Sequence, residues 1–156
     1  GAININTPQA LQKLFFSDPE LLLKQGFLNE LRNNPNEVLF QLNENAEFLS
    51  TKYKTEPSLP HTPIIVFYCE FSIERGPRMY NYMRKLDREF NEHDYPTLTY
   101  PEIYVLANGY SNFVRDYEQL CTPLGSYVQM LDPHYDKDFA QAHSDSRFLW
   151  KKITKC

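Results

Sequence analysis

Apolar and polar residues alternate from Ala2 to Asn6, the two-residue period of a short strand. Thr7-Pro8 then supplies a hydroxyl N-cap and a proline at the first helical position, which predicts a helix through about Phe16. Ser17-Asp18-Pro19-Glu20 repeats the start signal. Leu21, Leu22, Leu28 and Leu31 keep helical spacing until Asn33-Asn34-Pro35-Asn36 breaks the pattern. Val38, Leu39, Phe40 and Leu42 fit either period, and residues 37–50 are read as helix. Thr55 to Pro63, with three prolines, is a loop.

Ile64 to Tyr68 is a continuous β-branched and aromatic run, the pattern of a strand buried on both faces of a parallel sheet. From Pro77 to about Asn91 the residues Met79, Tyr82, Met83, Leu86 and Phe90 recur every three or four positions. Arg78, Asn81, Arg84, Lys85 and Arg88 fall elsewhere, so this is an amphipathic helix with a basic outer face. Pro96 and Pro101 bracket a loop, Ile103 to Leu106 is a second apolar strand, and Asn108-Gly109 is a turn. Strand, helix and strand make a βαβ unit, which places the chain in the α/β class. Beyond Tyr110 only Asp136 to about His143 reads as helix.

The chain has 156 residues, 42% hydrophobic and 23% charged, enough for one ordinary core. Its longest uncharged apolar run, Ile64 to Cys69, is far short of the roughly 20 residues that span a bilayer. A net charge of −4 disfavours a nucleic-acid binder that works by phosphate neutralisation. Cys69, Cys121 and Cys156 are too few and too scattered for a disulfide framework or a zinc site, and point to a reducing compartment. Cys121 is read as buried structure and Cys156 as exposed. His61, His93, His134 and His143 lack metal-ligand spacing and are read as surface residues, so no metal or other cofactor is expected. Trp150 with Lys151, Lys152 and Lys155 reads as a solvated terminus. The opening Gly1-Ala2-Ile3-Asn4 reads as the middle of a domain, and the chain as a fragment of one.

Chemistry concentrates in Tyr68-Cys69-Glu70-Phe71-Ser72-Ile73-Glu74-Arg75-Gly76-Pro77-Arg78. The cysteine stands at the carboxyl end of a strand, where ligands bind in open α/β sheets. The loop Cys69, Glu70, Phe71, Ser72, Ile73, Glu74, Arg75 would turn its N–H groups inward as an anion nest, helped by the positive end of the helix that follows. Such dipoles lower a thiol from about 8.5 to roughly 3.5–7.5, which makes Cys69 a thiolate nucleophile. Arg75 offers a planar fork of donors for two phosphoryl oxygens. Glu70 and Glu74 are the only carboxylates in the loop, and either would serve as general acid if its pKa is raised.

The string YCEFSIERGPRM, residues 68–79, resembles the active-site loop of the Cdc25, or M-phase inducer, dual-specificity phosphatases. Gly1 to Asn4 resembles that family's third-strand region, Tyr100 to Leu106 its fifth strand, and Asn108-Gly109-Tyr110 the turn after it. Cys121, Pro123, Tyr127 and Met130 resemble its carboxyl-terminal segment. The likeness is dense over residues 60–135 and thin over 7–59. It implies a rhodanese-like fold, a parallel sheet flanked by helices whose N-terminal strands lie outside this chain. Residues 1–156 would be part of that catalytic domain, with its core at 60–135 and a tail at 136–156.

The resemblance further implies that Cys69 forms a phosphocysteine, that Arg75 binds phosphate, and that Glu70 or Glu74 is the acid. Arg84, Arg88 and Tyr95 match the positions through which the family docks its kinase substrate. The implied activity is hydrolysis of phosphotyrosine and phosphothreonine on a cyclin-dependent kinase, driving mitotic entry from the nucleus and cytoplasm. The implied protein is a monomer with no cofactor, no nucleic acid and no membrane. Three departures stand out. Tyr68 replaces the usual His before the cysteine, Asn108 replaces a Gly, and the strand carrying a second, protective cysteine is absent. Two other readings are an arsenate reductase using the same Cys-x5-Arg loop and a non-catalytic module that binds the kinase through Arg84 and Arg88.

Overall fold

Thr7 accepts a hydrogen bond from the Ala10 amide at 3.1 Å and Pro8 fills the first helical position, so α1 runs Pro8–Phe16 as the cap predicts. The computed structural model describes residues 2–153; Gly1, Thr154, Lys155 and Cys156 lie outside them. Asp18 caps a 3₁₀ turn, Pro19–Leu23, but Lys24 is extended and divides it from α2, Gln25–Asn33, where one helix was expected. Pro35 opens α3, Pro35–Tyr53, because proline suits a first turn as well as a break. Asn45 interrupts α3 at φ −157° and its side chain accepts from the Phe48 amide, recapping the second half. Residues 2–6 are irregular rather than strand. Strand pairing is what makes a strand, and these residues enter no ladder.

The chain falls into two units, Gly1–Ile65 with Asn81–Tyr104, and Val66–Tyr80 with Val105–Cys156. In the first, Leu11, Leu14, Leu21, Leu22, Phe27, Leu31, Val38, Leu42 and Leu49 are buried as the core of α1 to α3. Each such side chain contributes about 1.5–3 kcal/mol of burial. Lys24 is buried too, and donates to the Glu56 carbonyl and the Ser58 hydroxyl, both at 2.9 Å, pinning the proline-rich loop.

Strands β1, Ile65–Phe67, and β2, Ile103–Val105, pair in parallel, with Ile65 N–H on the Glu102 carbonyl and Leu106 N–H on the Phe67 carbonyl. Helix α4, Arg75–Phe90, connects them, so the βαβ reading stands within a mixed α/β fold. β1 is not buried on both faces: Ile64 and Val66 are 69% and 47% exposed, because the sheet of the described residues has two strands. Met79 and Met83 are buried on α4, whereas Phe90 is exposed. Asp87 is fully enclosed. It accepts from the Thr99 amide (2.9 Å), the Tyr100 amide (3.1 Å), Asn91 Nδ2 (3.0 Å) and Arg84 (3.3 Å), the compensation that a buried carboxylate needs. Arg84 is therefore not on a solvated face. Its side chain is 15% exposed and also donates to the Tyr100 and Pro101 carbonyls.

Helix α5, Gly109–Tyr117, was not anticipated, and α6, Asp136–Ile153, runs ten residues past His143. The Arg78 guanidinium sits 5.5 Å from the centroid of the Trp150 ring, so the solvated-terminus reading fails at Trp150. No helix among the described residues is long and apolar enough to cross a membrane.

Candidate active site

The loop from Tyr68 to Glu74 leaves β1 and enters α4 at Arg75. Its curvature needs Gly76: a Cβ there would stand 3.2 Å from the Tyr68 backbone, so glycine lets the helix start close against the strand end. The first turn of α5 fixes the polarity of the loop. A helix N-terminus carries amides without intrahelical partners, and here Tyr110 N–H donates to the Cys69 carbonyl at 3.0 Å and Ser111 N–H to the Glu70 carbonyl at 2.9 Å. With those carbonyls drawn toward α5, the amides of Gly76, Ser72 and Phe71 turn to the Cys69 sulfur. Gly109 makes the approach possible, at φ +71° and so close that a Cβ would collide with the Glu70 carbonyl. Asn108 and Ser72 are also left-handed, at φ 59° and 50°. For a residue with a Cβ that conformation costs on the order of 1–2 kcal/mol, strain that the surroundings must hold.

Burial pushes the Cys69 thiol up, but the amides of Gly76 and Ser72, the Arg75 charge and the Phe71 amide outweigh it, leaving the thiol below its ordinary value. Inward N–H groups that favour the charged sulfur make it a better nucleophile, and the same groups suit a tetrahedral oxyanion. Arg75 is exposed and donates to Met130 Sδ at 3.1 Å. Glu74 is exposed and paired with Arg78 at 2.5 Å. Glu70 is engaged at both oxygens, by the Tyr127 hydroxyl at Oε1 and the Met130 amide at Oε2. Phe71 and Ile73 face solvent, at 46% and 81% exposure, and the Ser72 hydroxyl is shielded without a hydrogen-bond partner. Cys69 and the amides around it thus belong to one loop, and the Arg75 side chain that follows turns to Met130.

Around it stand Tyr68, Tyr110 and Tyr127, linked by ring centroids 5.5 and 5.7 Å apart. A hydrogen bond with the Cys121 thiol raises the Tyr110 phenol, and burial followed by Cys121 raises Tyr68. Cys121 is half-buried beside these rings rather than a core residue. An open groove of about 430 Å³ lies beside the loop, with Phe71, Asn108, Ser111 and Tyr127 in its wall. Sequence reasoning missed the part played by α5 and gave Tyr127 and Met130 no role of their own. The Asn108-Gly109 pair was the available signal, since a left-handed Asn before Gly can open a helix as well as turn a chain. Of the other expected residues, Arg88 and Tyr95 are exposed, Arg84 is held in the Asp87 network, and all four histidines are exposed.

No family model matches the chain. Curated relatives do. It is 49% identical over 84 residues to an M-phase inducer phosphatase of Drosophila melanogaster, covering 54% of this chain and 17% of the relative. To the Cdc25-like protein phosphatase twine of Drosophila melanogaster it is 51% identical over 76 residues, 49% of this chain and 18% of the relative. To M-phase inducer phosphatase 1 of Homo sapiens it is 40% identical over 110 residues, 70% and 20% respectively. The chain spans about a fifth of the length of these relatives.

Proposed function

Since the chain is a relative of the Cdc25 family, the M-phase inducer phosphatases, we propose that it carries a rhodanese-like phosphatase site acting on phosphotyrosine and phosphothreonine of a cyclin-dependent kinase, in the nucleus and cytoplasm, to promote mitotic entry. The observation that carries this reading is the set of amides from Phe71, Ser72 and Gly76 directed at Cys69.

In the first step the Cys69 thiolate attacks phosphorus, an S–P bond forms, and the P–O bond to the substrate hydroxyl breaks. The departing oxygen takes a proton from a loop carboxyl. Glu74 is the candidate donor, because Arg78 engages it through one oxygen whereas both oxygens of Glu70 already accept hydrogen bonds. In the second step water attacks phosphorus and gives a proton to the carboxylate left by the first step, the S–P bond breaks, and inorganic phosphate leaves with the thiolate and the carboxyl restored. Arg75 swings from Met130 to grip two non-bridging oxygens, where its charge counts most as negative charge builds. Arg88 and Tyr95 are exposed and suit docking of the kinase, whereas Arg84 serves first to hold Asp87.

Cys69→Ser tests the reading. The variant is expected to bind a doubly phosphorylated Thr-Tyr peptide and to release phosphate slower by on the order of 10⁴-fold. Release near the parent rate overturns the nucleophile assignment.

A further inference from the structure

Glu70 and Arg75, near opposite ends of the loop, are both held by one distant segment, residues 127–130. The Tyr127 hydroxyl donates to Glu70 Oε1 across 57 residues of sequence, and the Met130 amide donates to Oε2 at 3.0 Å across 60. The sulfur of Met130 accepts from Arg75 at 3.1 Å. Ser111 closes the figure, its amide donating to the Glu70 carbonyl at 2.9 Å. Two donors on two oxygens fix the plane of the Glu70 carboxylate. They thereby fix the peptide that follows it, whose N–H belongs to Phe71 and faces Cys69. Beyond the α5 contacts at Cys69 and Glu70 the middle of the loop has fewer ties, since Phe71 and Ile73 are exposed and Ser72 is left-handed.

We infer that Tyr127 and Met130 form a clamp that positions the oxyanion cradle, with Glu70 as its anchor in the loop and Tyr127 as its principal positioning residue. The clamp rests on the phosphatase reading for its purpose but not for its geometry. Glu70 on this account is a brace whose oxygens are spent on alignment. Without the Tyr127 hydroxyl the carboxylate keeps one donor and rotates about it, and the Phe71 and Ser72 amides drift from the sulfur.

The test is Tyr127→Phe in the full chain, with Glu70→Gln as a second variant that keeps the loop filled but sets an amide N–H against the Met130 N–H. The Cys69 pKa is read from the pH dependence of iodoacetamide alkylation, alongside kcat/KM for an aryl phosphate and the melting temperature. Both variants are expected to raise the Cys69 pKa by about one unit, a tenfold loss of thiolate below both values. kcat/KM should fall by the same factor at low pH and recover above the new pKa, with melting unchanged for Tyr127→Phe. A merely structural contact would not move the pH profile in this way. A Cys69 pKa equal to the parent's in both variants overturns the clamp, even if the parent hydrolyses phosphate. A raised pKa in a chain that hydrolyses none upholds the clamp and defeats the phosphatase reading instead.

Discussion

Arg84 and Asp87 lie about one turn apart on α4, guanidinium to carboxylate at 3.3 Å, with the carboxylate wholly enclosed and the guanidinium capping two further carbonyls. This pair separates two uses of a basic helix face. Removing Asp87 leaves the Thr99 and Tyr100 amides without their acceptor and Arg84 without its counter-charge, so Asp87→Ala is expected to cost about 3–5 kcal/mol in denaturant melts. Arg84→Leu should cost about 1–3 kcal/mol. Arg88→Leu, at an exposed position, should stay within about 0.5 kcal/mol. A loss of kinase binding in Arg84→Leu is thus to be compared with its stability, whereas a loss in Arg88→Leu reports docking alone.

Tyr100 gives the first unit a dependence on alkaline pH. Its hydroxyl donates to the Phe15 carbonyl at 2.6 Å, and the ring packs edge-on against Phe15 and Phe16 at 5.4 and 5.7 Å. Burial, then the Asp87 and Asp18 charges, push the phenol well above its ordinary value. The folded chain therefore keeps a proton that the unfolded chain releases near pH 10. This contribution is complete below about pH 10 and declines by about 1.4 kcal/mol per pH unit above it, until the folded phenol itself ionises. Tyr100→Phe should lose about 1–3 kcal/mol at neutral pH and show a shallower alkaline decline.

Two glycines share a left-handed backbone and differ in their surroundings. At Gly109, φ +71°, a Cβ meets the Glu70 and Phe71 backbone; at Gly125, φ +69°, it meets nothing within 4 Å. Gly125→Ala should therefore cost only the conformational increment, about 1 kcal/mol. Gly109→Ala should cost more than about 2 kcal/mol and displace the loop, with the Cys69 thiol returning toward its ordinary pKa. Equal melting temperatures for the two variants would refute the contact between α5 and the loop.

What was legible in the sequence was local. Thr7-Pro8 announced its helix because capping acts within one turn, and the order of strand, cysteine loop and helix was readable because the elements are consecutive. The loop's inward amides followed from the same continuity. What stayed hidden depends on distant partners. Asp87 sits among charged residues on a helix, and nothing next to it in the sequence signals the burial that Thr99 and Tyr100 bring. The Glu70 partners come 57 and 60 residues later, in a proline-punctuated stretch without period. Helix α5 begins at a left-handed Asn-Gly pair and is rich in aromatic residues of weak helix propensity, so contact with the loop rather than its own pattern makes it a helix. The Ala2–Asn6 alternation failed for the converse reason, since a strand needs a neighbour that periodicity does not supply.

The central claim is that Cys69, ionised by the amides around it, takes up the phosphoryl group. Acid quench of the reaction with a doubly phosphorylated peptide, followed by mass spectrometry of the peptide containing Cys69, measures that transfer. The account predicts a phosphoryl group on Cys69 within the first turnover and none in Cys69→Ser; sustained phosphate release from a chain whose Cys69 never carries phosphate would contradict it.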